Sequence, residues 1–327
     1  MIVLVVCHVE LGYATDSAVF FETGLSCGGS PVSHVEGVAD GVRNALCIVE
    51  NFGPMSFMMT PESLQAARGI DFRDHEIGVH VHPRDRLLMR SGFGEHKYLR
   101  DYGFAEQEAV ISEAKQIIDD TMGVDARTFV AGTWSVNNET VRALVGLRFS
   151  HDCSPCPGLV FRSCNWAGLP RICSPYMPSG ANYQLVGDLP LVMVPVSMEI
   201  TGGIVSPESN IGLGFLKAAF REYHDLGMPV FHIAFHSPAM TSRRYQKNFS
   251  ALLRYISEYD ARFCRVSEIE PAGRHVPRYP AQLWPYLTNL DLDALSYILN
   301  RAPHRVLREL RMKVQHSLLF GNSHDIS

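Results

Sequence analysis

Two histidines separated by one residue, His80 and His82, are the side chains of this sequence best suited to chemistry. They lie in segment 75–83, which alternates apolar and polar residues, and residues two apart on a β-strand point to the same face. Two adjacent buried imidazoles without partners are costly, and a divalent cation held by their neutral nitrogens offsets that cost. The spacing predicts a metal site, and the alternative is a pair of partly exposed strand histidines.

Two other apolar segments carry histidines at their ends. His8 and Glu10 share one face at the end of the first segment, and His232 and His236 share one face of a late segment. In parallel α/β barrels the active site forms at the carboxyl ends of the strands. We therefore expect these side chains to meet His80 at one mouth. The alternatives are a hydrogen-bonded core role for His232 and a helix cap or surface acid for Glu10.

Apolar runs alternate with helical patterns along the chain, which is the order of βα units around a parallel sheet or barrel. We expect a barrel domain over residues 1–272 and a C-terminal helical extension over 273–327, with helical periodicity in 291–320. Segment 155–188, rich in Pro, Gly, Ser and Cys, is predicted to be a loop over the site. The predicted strands are 2–9, 55–59, 76–82, 128–131, 147–152, 191–199, 229–236 and 262–266, and the predicted helices are 38–51, 106–122, 137–145, 215–226 and 245–259.

Composition restricts the partners. The chain has 327 residues, 46% of them hydrophobic, and a net charge of -5. Without a long basic run, this balance argues against nucleic acid or an anionic membrane surface and favours a small-molecule substrate. The first apolar run lacks a basic leader and is interrupted by His8 and Glu10, so we expect a cytoplasmic protein. The C-terminal helices could pack on the barrel or form a homo-oligomer.

Eight cysteines are scattered through the sequence. Cys153 and Cys156 have the spacing of a redox motif or of half a zinc site, and Cys164 and Cys173 could in principle complete it. No second pair stands at a convincing spacing. Free thiols in a reducing compartment are therefore the default expectation.

The order of these segments resembles the polysaccharide deacetylase superfamily, also called the NodB-homology or carbohydrate esterase family 4 group. The resemblance implies a distorted (β/α)7 barrel over residues 1 to 270. Segment 55–59 resembles the family's second strand and 263–269 its closing strand. The matching motifs are VVCHVE at 5–10, HEIGVHVHP at 75–83, TFVAGTWSVN at 128–137, LRFSHDCS at 147–154 and FHIAFHS at 231–237.

The resemblance also implies roles. Family members use one divalent metal, an aspartate base and a late histidine acid to hydrolyse acyl groups. Carried over by position, the metal ligands are Glu10, His80 and His82, and the acid is His236. Zinc is the expected metal, with Co, Ni, Mn or Fe possible. Asp152 matches a residue near the family's substrate pocket, where it would orient a histidine or a sugar hydroxyl; alternatively, it caps the following turn.

Two departures from the family pattern change the expected chemistry. His8 stands where the family carries its aspartate base, and Val130 stands where the family carries an arginine that pairs with this aspartate. The loss of the aspartate and the loss of the arginine are consistent with each other, because a buried arginine without its anion would be an uncompensated charge. His8 is therefore a base, a fourth ligand, or a sign that hydrolysis has been lost. The motif histidines are also two residues apart instead of four.

The main hypothesis is a metal-dependent amide hydrolase, of deacetylase or deformylase type. Its substrate would be an N-acylated amino sugar, nucleotide sugar or related metabolite. Trp134, Trp166 and Tyr176 are candidate sugar-stacking surfaces, with ordinary packing as the alternative. One competing hypothesis is a sugar-binding protein that keeps the fold without hydrolysis. Another is a redox enzyme, because two histidines and a carboxylate are also the ligands of non-haem Fe(II) oxygenases.

Overall fold

The fold is built around one parallel β-sheet. The structure is a computed structural model that describes residues 1–11, 35–209, 211–272 and 284–289. The strands are β1 Ile2–Val9, β2 Ser56–Met59, β3 Glu76–Val81, β4 Thr128–Ala131, β5 His151–Asp152, β6 Val192–Met193, β7 Val230–His236 and β8 Arg262–Cys264. Their order in the sheet is β6-β5-β4-β3-β2-β1-β7, and β8 pairs with the start of β1.

Helices cover the outside of this sheet, as the alternating pattern predicts. The longer ones are amphipathic, and each turns its buried face toward the strands. Helix Phe104–Met122, for example, buries Val110, Ile111, Ala114 and Ile118. The α-helices are Val35–Val49, Leu64–Ala67, Arg86–Arg90, Phe104–Met122, Asn138–Gly146, Leu213–Asp225, Arg243–Ser257 and Trp284–Thr288.

The alternation of side chains divides the core into two layers. Leu4, Val6, Met58 and Val130 belong to an inner apolar cluster enclosed by the curled sheet. Their strand neighbours, such as Val5, Phe57 and Phe129, belong to the larger cluster beneath the helices. His8 lies two residues after Val6 on β1, and His80 on β3 is paired with the inward-facing Val130 of β4. The period of two along each strand therefore fixes that both imidazoles point inward.

The sheet curls into a distorted barrel. β1 pairs with both β2 and β7, with His8 opposite Met58 and His236. At the other edge of the sheet, the chain after β6 lies beside β7, where Ser197 N donates to the carbonyl of His232 over 3.1 Å. The predicted barrel class is therefore confirmed.

Two predicted strands are much shorter than the apolar runs that suggested them. Segment 147–152 gives only β5, because Leu147 N still donates to the carbonyl of Ala143 in the preceding helix. Arg148 then turns the chain with a φ of 61°. Segment 191–199 gives only β6, and Pro195 follows without a backbone donor for a continued ladder.

Segment 155–188 is a packed layer of the protein. Short antiparallel bridges join Val160 to Asn165, and Tyr176 to Met193. Trp166 and Tyr176 belong to the largest fully buried side chains. The prediction of an irregular segment is confirmed, and many of its side chains join the main core.

The C-terminal prediction falls largely outside the described residues, including all of 291–320. Helix Trp284–Thr288 packs on helix Leu213–Asp225, where Tyr286 OH donates to Glu222 Oε2 over 3.0 Å. Among the described residues, no helix combines the length and apolar character needed to cross a membrane. Cys153 and Cys156 are buried free thiols, and burial raises the pKa of both well above the usual value.

Candidate metal and catalytic site

Three potential metal ligands converge at the carboxyl ends of β1 and β3. Glu10 follows β1, His80 lies within β3, and His82 follows it. Glu10 Oε2 is 3.0 Å from His80 Nε2 and 2.7 Å from His82 Nε2, and the two Nε2 atoms are 3.1 Å apart. Among the described residues these form the group able to hold a metal ion. The structure thus brings together the three ligands that the resemblance implies.

Neighbouring groups orient both imidazoles. His80 Nδ1 donates to the carbonyl of Val130 over 3.1 Å, which leaves Nε2 as the unprotonated nitrogen facing Glu10. The ring of His82 lies against Gly132, where a Cβ would come within 2.5 Å of it. The side chain of His82 keeps 25% of its surface exposed, so the group is accessible from solvent.

The protonation states of this group fit a divalent cation. Burial alone would raise the pKa of Glu10, but in the absence of a metal the charge of protonated His82, and hydrogen bonds donated by His80 and His82 when their Nε2 atoms carry protons, hold it well below its usual range. Burial lowers the pKa of His80. An ionised carboxylate and neutral imidazoles are the forms that bind metal. Two Nε2 atoms 3.1 Å apart beside one carboxylate oxygen are also a donor set typical of zinc and neighbouring transition metals.

His236 enters the site from β7 and is paired with Glu208. Its Nδ1 donates to Glu208 Oε1 over 2.6 Å, and its Nε2 is 3.5 Å from Glu10 Oε1. Burial alone would lower the pKa of His236, but the charge and hydrogen bond of Glu208 raise it above its ordinary value. His236 is therefore held in a state that favours the protonated ring, with Nε2 directed toward the metal ligands.

His8 lies between the metal ligands and His236. Its ring centroid is 5.0 Å from that of His80 and 5.2 Å from that of His236. The side chain is buried, and its Nε2 has no hydrogen-bond partner within the described part of the chain. Burial, together with the nearby His80 and His236, holds the pKa of His8 well below its usual value. His8 is thus a neutral imidazole with a free nitrogen at the centre of the site.

Trp134 forms a wall of the site through an unusual turn. Its ring centroid is 5.3 Å from that of His8. Thr133 and Trp134 have φ angles of 53° and 59°, and a left-handed conformation is costly for such side chains. Trp166 Nε1 donates to the carbonyl of Trp134 over 3.1 Å, which helps to hold this turn. Of the three predicted stacking surfaces, Trp134 is the one placed beside His8.

The other two aromatic predictions need correction. A stacking surface must present a ring face to its ligand, but Trp166 is 0% exposed and Tyr176 is 1% exposed. Trp166 packs against Tyr183 with ring centroids 4.9 Å apart. Tyr176 OH donates to the carbonyl of Tyr183 over 2.9 Å. Both side chains are therefore part of the core of segment 155–188.

The predicted catalytic role of Asp152 also needs correction. Cys153 belongs to the inner cluster, so Asp152, one residue earlier, points to the opposite face of the sheet. Its Oδ1 accepts hydrogen bonds from the backbone N and the hydroxyl of Ser154. Burial raises the pKa of Asp152 to about 7 although these hydrogen bonds oppose the change. The alternative of a turn-capping residue describes its contacts.

His232 has the core role that the sequence allowed as its alternative. It is buried inside the barrel, and its Nδ1 donates to the carbonyl of Pro195 over 3.2 Å. Burial lowers its pKa to about 4. His232 therefore remains neutral at neutral pH.

Glu208 is the functional candidate that the sequence reasoning missed. It lies in the segment between β6 and helix Leu213–Asp225, where no strand periodicity applies. The signal that could have found it is an acidic residue in a loop on the carboxyl side of the barrel, where binding and catalytic groups concentrate.

Comparison with solved structures finds chains of the same architecture. A Mycobacterium smegmatis protein described as a candidate polysaccharide deacetylase covers 80% of this chain and 85% of its own, with 18% identity and a TM-score of 0.52. PuuE allantoinase covers 92% of this chain and 91% of its own, with 13% identity and a TM-score of 0.55. This chain has the polysaccharide deacetylase fold. No family model matches the sequence, and no curated protein matches it significantly.

Within the deacetylase fold, the histidine and glutamate cluster occupies the carboxyl ends of the strands. Identities of 13% and 18% establish a shared architecture, and one fold supports several activities. The function must therefore be argued from the side chains of the site.

Proposed function

We propose that this protein is a metal-dependent hydrolase of amide bonds in small N-acylated molecules, such as amino sugars or nucleotide sugars. The observation that carries the proposal is the triangle of Glu10 Oε2, His80 Nε2 and His82 Nε2, with sides of 2.7 to 3.1 Å. A bound divalent cation, with zinc the best match to these donors, supplies polarisation of the acyl carbonyl and a lower pKa for water. The deacetylase fold supports this chemistry.

His8 and His236 have the properties of a base and an acid. The pKa of His8 is lowered and that of His236 is raised, and oppositely shifted neighbours are the pattern of paired acid and base catalysts. His8 Nε2 would take a proton from the attacking water, whose oxygen bonds to the acyl carbon. His236 Nε2 would then donate its proton to the nitrogen as the carbon–nitrogen bond breaks. Glu208 keeps His236 oriented and protonated.

Trp134 is the proposed contact surface for the substrate. It lies beside His8 and is only partly buried, whereas Trp166 and Tyr176 are enclosed. An aromatic ring at this position would pack on a sugar ring or on the acyl group.

Metal analysis and an amine-release assay test the proposal. We expect about one divalent ion per wild-type chain by elemental analysis and loss of this ion in His80→Ala and His82→Ala. With N-acetyl and N-formyl amino sugars, His8→Ala and His236→Ala should each slow amine release about 100-fold or more. His224→Ala, at a half-exposed position of helix Leu213–Asp225 outside the metal cluster, is the control. A metal-free wild type, or full turnover in both catalytic variants, would contradict the proposal.

A second candidate, a binding protein without hydrolytic activity, is favoured by His8 itself. A buried imidazole whose pKa is lowered is a weaker base than an ordinary imidazole, and it stands where the resemblance implies a carboxylate base. This candidate predicts that wild-type protein binds metal and an N-acylated sugar but releases no amine. Calorimetry with the same sugars used in the amine assay separates the two candidates.

A further inference from the structure

Thr60 carries a buried hydroxyl that the fold leaves unused. The residue is 2% exposed, and its Oγ1 has no hydrogen-bond partner within the described ranges. Thr60 is the N-cap of the short 3₁₀ helix Pro61–Ser63, where a threonine hydroxyl usually accepts a backbone hydrogen bond, but it makes none here. Leaving a buried hydroxyl unpaired is costly, so its retention calls for an explanation.

The backbone of Thr60 is firmly held, which fixes where the side chain starts. Thr60 N donates to the carbonyl of Val9 over 3.1 Å, extending the pairing of β1 with β2 by one residue. The carbonyl of Thr60 accepts the backbone N of Ser63 at 3.0 Å and the hydroxyl of Ser63 at 2.8 Å. Only the side-chain hydroxyl is therefore free to serve another group.

Strand register places this hydroxyl beside two of the proposed metal ligands. Val9 pairs with Met59, and Met59 pairs with Val79. One residue further along each strand, Glu10, Thr60 and His80 form a single row across β1, β2 and β3. Met58 belongs to the inner cluster, so Thr60, two residues later, also points inward.

Glu10 and His80 come together across the strand that carries Thr60. Glu10 Oε2 and His80 Nε2 are 3.0 Å apart, although the strand of Thr60 lies between their own strands. The other oxygen of Glu10 is 3.5 Å from His236 Nε2, which is too long for a strong hydrogen bond. Oε1 of Glu10 therefore faces β7, whereas Oε2 reaches across β2, on the side where Thr60 lies. A carboxylate has about four acceptor positions on its two oxygens, so it can accept a further hydrogen bond there.

We propose that Thr60 is a positioning residue whose hydroxyl donates to the Glu10 carboxylate and fixes its orientation toward a bound divalent cation. This inference rests on the proposed function, because it assumes that Glu10 is a ligand. Groups that orient ligands in this way typically affect metal affinity 10- to 100-fold. The hydroxyl is then kept for the metal-bound state, in which it gains a partner.

The test compares Thr60→Val with Thr60→Ser. Zn²⁺ affinity is measured by competition with a chelator, and thermal unfolding is measured on metal-stripped protein. Thr60→Val removes the hydroxyl at nearly constant shape, so we expect about 10- to 100-fold weaker Zn²⁺ binding. The melting temperature of its metal-free form should be unchanged or higher, because an unpaired buried hydroxyl has been removed. Thr60→Ser keeps a hydroxyl at this position, so its Zn²⁺ affinity should stay near the wild-type value.

Ser63→Ala is the matched control in the same turn. It removes a buried hydroxyl that does make a structural hydrogen bond, so its metal-free form should melt at a lower temperature while Zn²⁺ affinity stays near the wild-type value. Wild-type Zn²⁺ affinity in Thr60→Val would overturn the role of Thr60 alone. Equal weakening in Thr60→Ser and Thr60→Val would do the same. A wild type that binds no Zn²⁺ would overturn the proposed function together with this inference.

Discussion

Glu208 raises the pKa of His236, so its loss should change the pH dependence of turnover. A catalytic acid must be protonated, and kcat/KM falls as pH rises through its pKa in the free enzyme. Because Glu208 raises the pKa of His236 against the effect of burial, we expect Glu208→Gln to move the alkaline limb of the profile to lower pH. On that limb, kcat/KM falls about tenfold for each pKa unit lost.

The glutamine variant isolates charge from geometry. Its amide oxygen can still accept the hydrogen bond from His236 Nδ1, which Glu208 accepts at 2.6 Å. Glu139→Gln, which removes an exposed carboxylate paired with Arg142, is the control for loss of one negative charge. An alkaline limb that stays in place in Glu208→Gln would show that His236 is not the acid that limits turnover.

Side chains on strands were predictable, whereas side chains on loops were not. His8, His80 and His236 lie on buried strands whose period of two fixes their direction, so the sequence predicted that they meet. Glu208 lies on a loop, where no periodicity relates a residue to a face. Trp166 and Tyr176 failed for a different reason, because exposure of an aromatic residue in segment 155–188 depends on how that segment packs.

At the scale of elements, the turn after β4 positions His82. Gly132 starts this turn, and a Cβ added there would lie 2.5 Å from ring atoms of His82. Gly132→Ala should therefore displace the imidazole of His82. We expect Zn²⁺ binding to weaken by about 10- to 100-fold, which is the usual effect when a metal ligand loses its orientation. It should also lower the free energy of unfolding by about 1 to 3 kcal/mol through overpacking.

Chelator competition and urea unfolding measure these two effects separately. Gly180→Ala is the control, because the nearest atom to its added Cβ would be Leu189 Cδ2 at 4.0 Å, an ordinary contact. Unchanged Zn²⁺ affinity in Gly132→Ala would mean either that His82 can shift without loss or that it is not a ligand.

The sequence predicted long buried strands better than short ones. Strands buried on both faces are continuous apolar runs, and the predicted first strand has the observed bounds of Ile2–Val9. In segments 147–152 and 191–199 the strands are only two residues long, although the neighbouring Phe149 and Val194 are as fully buried as strand residues. Apolar content alone does not distinguish a buried strand from a buried loop.

At the scale of the whole molecule, one buried network joins distant parts of the chain. Arg171 from segment 155–188 pairs with Glu222, which also accepts the hydroxyl of Tyr286 at 3.0 Å. Phe215 and Tyr286 add a ring contact at 5.2 Å. Tyr286 belongs to the predicted extension 273–327, so at least this part of the extension is packed on the barrel helices.

Two buried groups outside the metal cluster should give the stability of the molecule opposite pH dependences. The pKa of Asp152 is raised to about 7, above its unfolded value of about 3.9, so the folded state keeps a proton that the unfolded state has lost. This contribution is fully present below about pH 4 and is lost as pH rises to about 7. The pKa of His232 is lowered to about 4, so its contribution is present above about pH 6.5 and is lost as pH falls.

Asp152→Asn should separate these two effects, because asparagine keeps the acceptor for Ser154 and cannot ionise. Relative to wild type, the variant should gain free energy of unfolding as pH rises from 4 to 8, by on the order of 4 kcal/mol at most. Urea titrations at several pH values measure this difference, with the exposed loop variant Asp188→Asn as the control. Parallel pH profiles of the free energy of unfolding for Asp152→Asn and wild type would show that Asp152 has the same pKa in the folded and unfolded states.

Because Asp152 points away from the inner face, the variant should also keep its metal. Loss of metal without loss of stability would return this residue to the site.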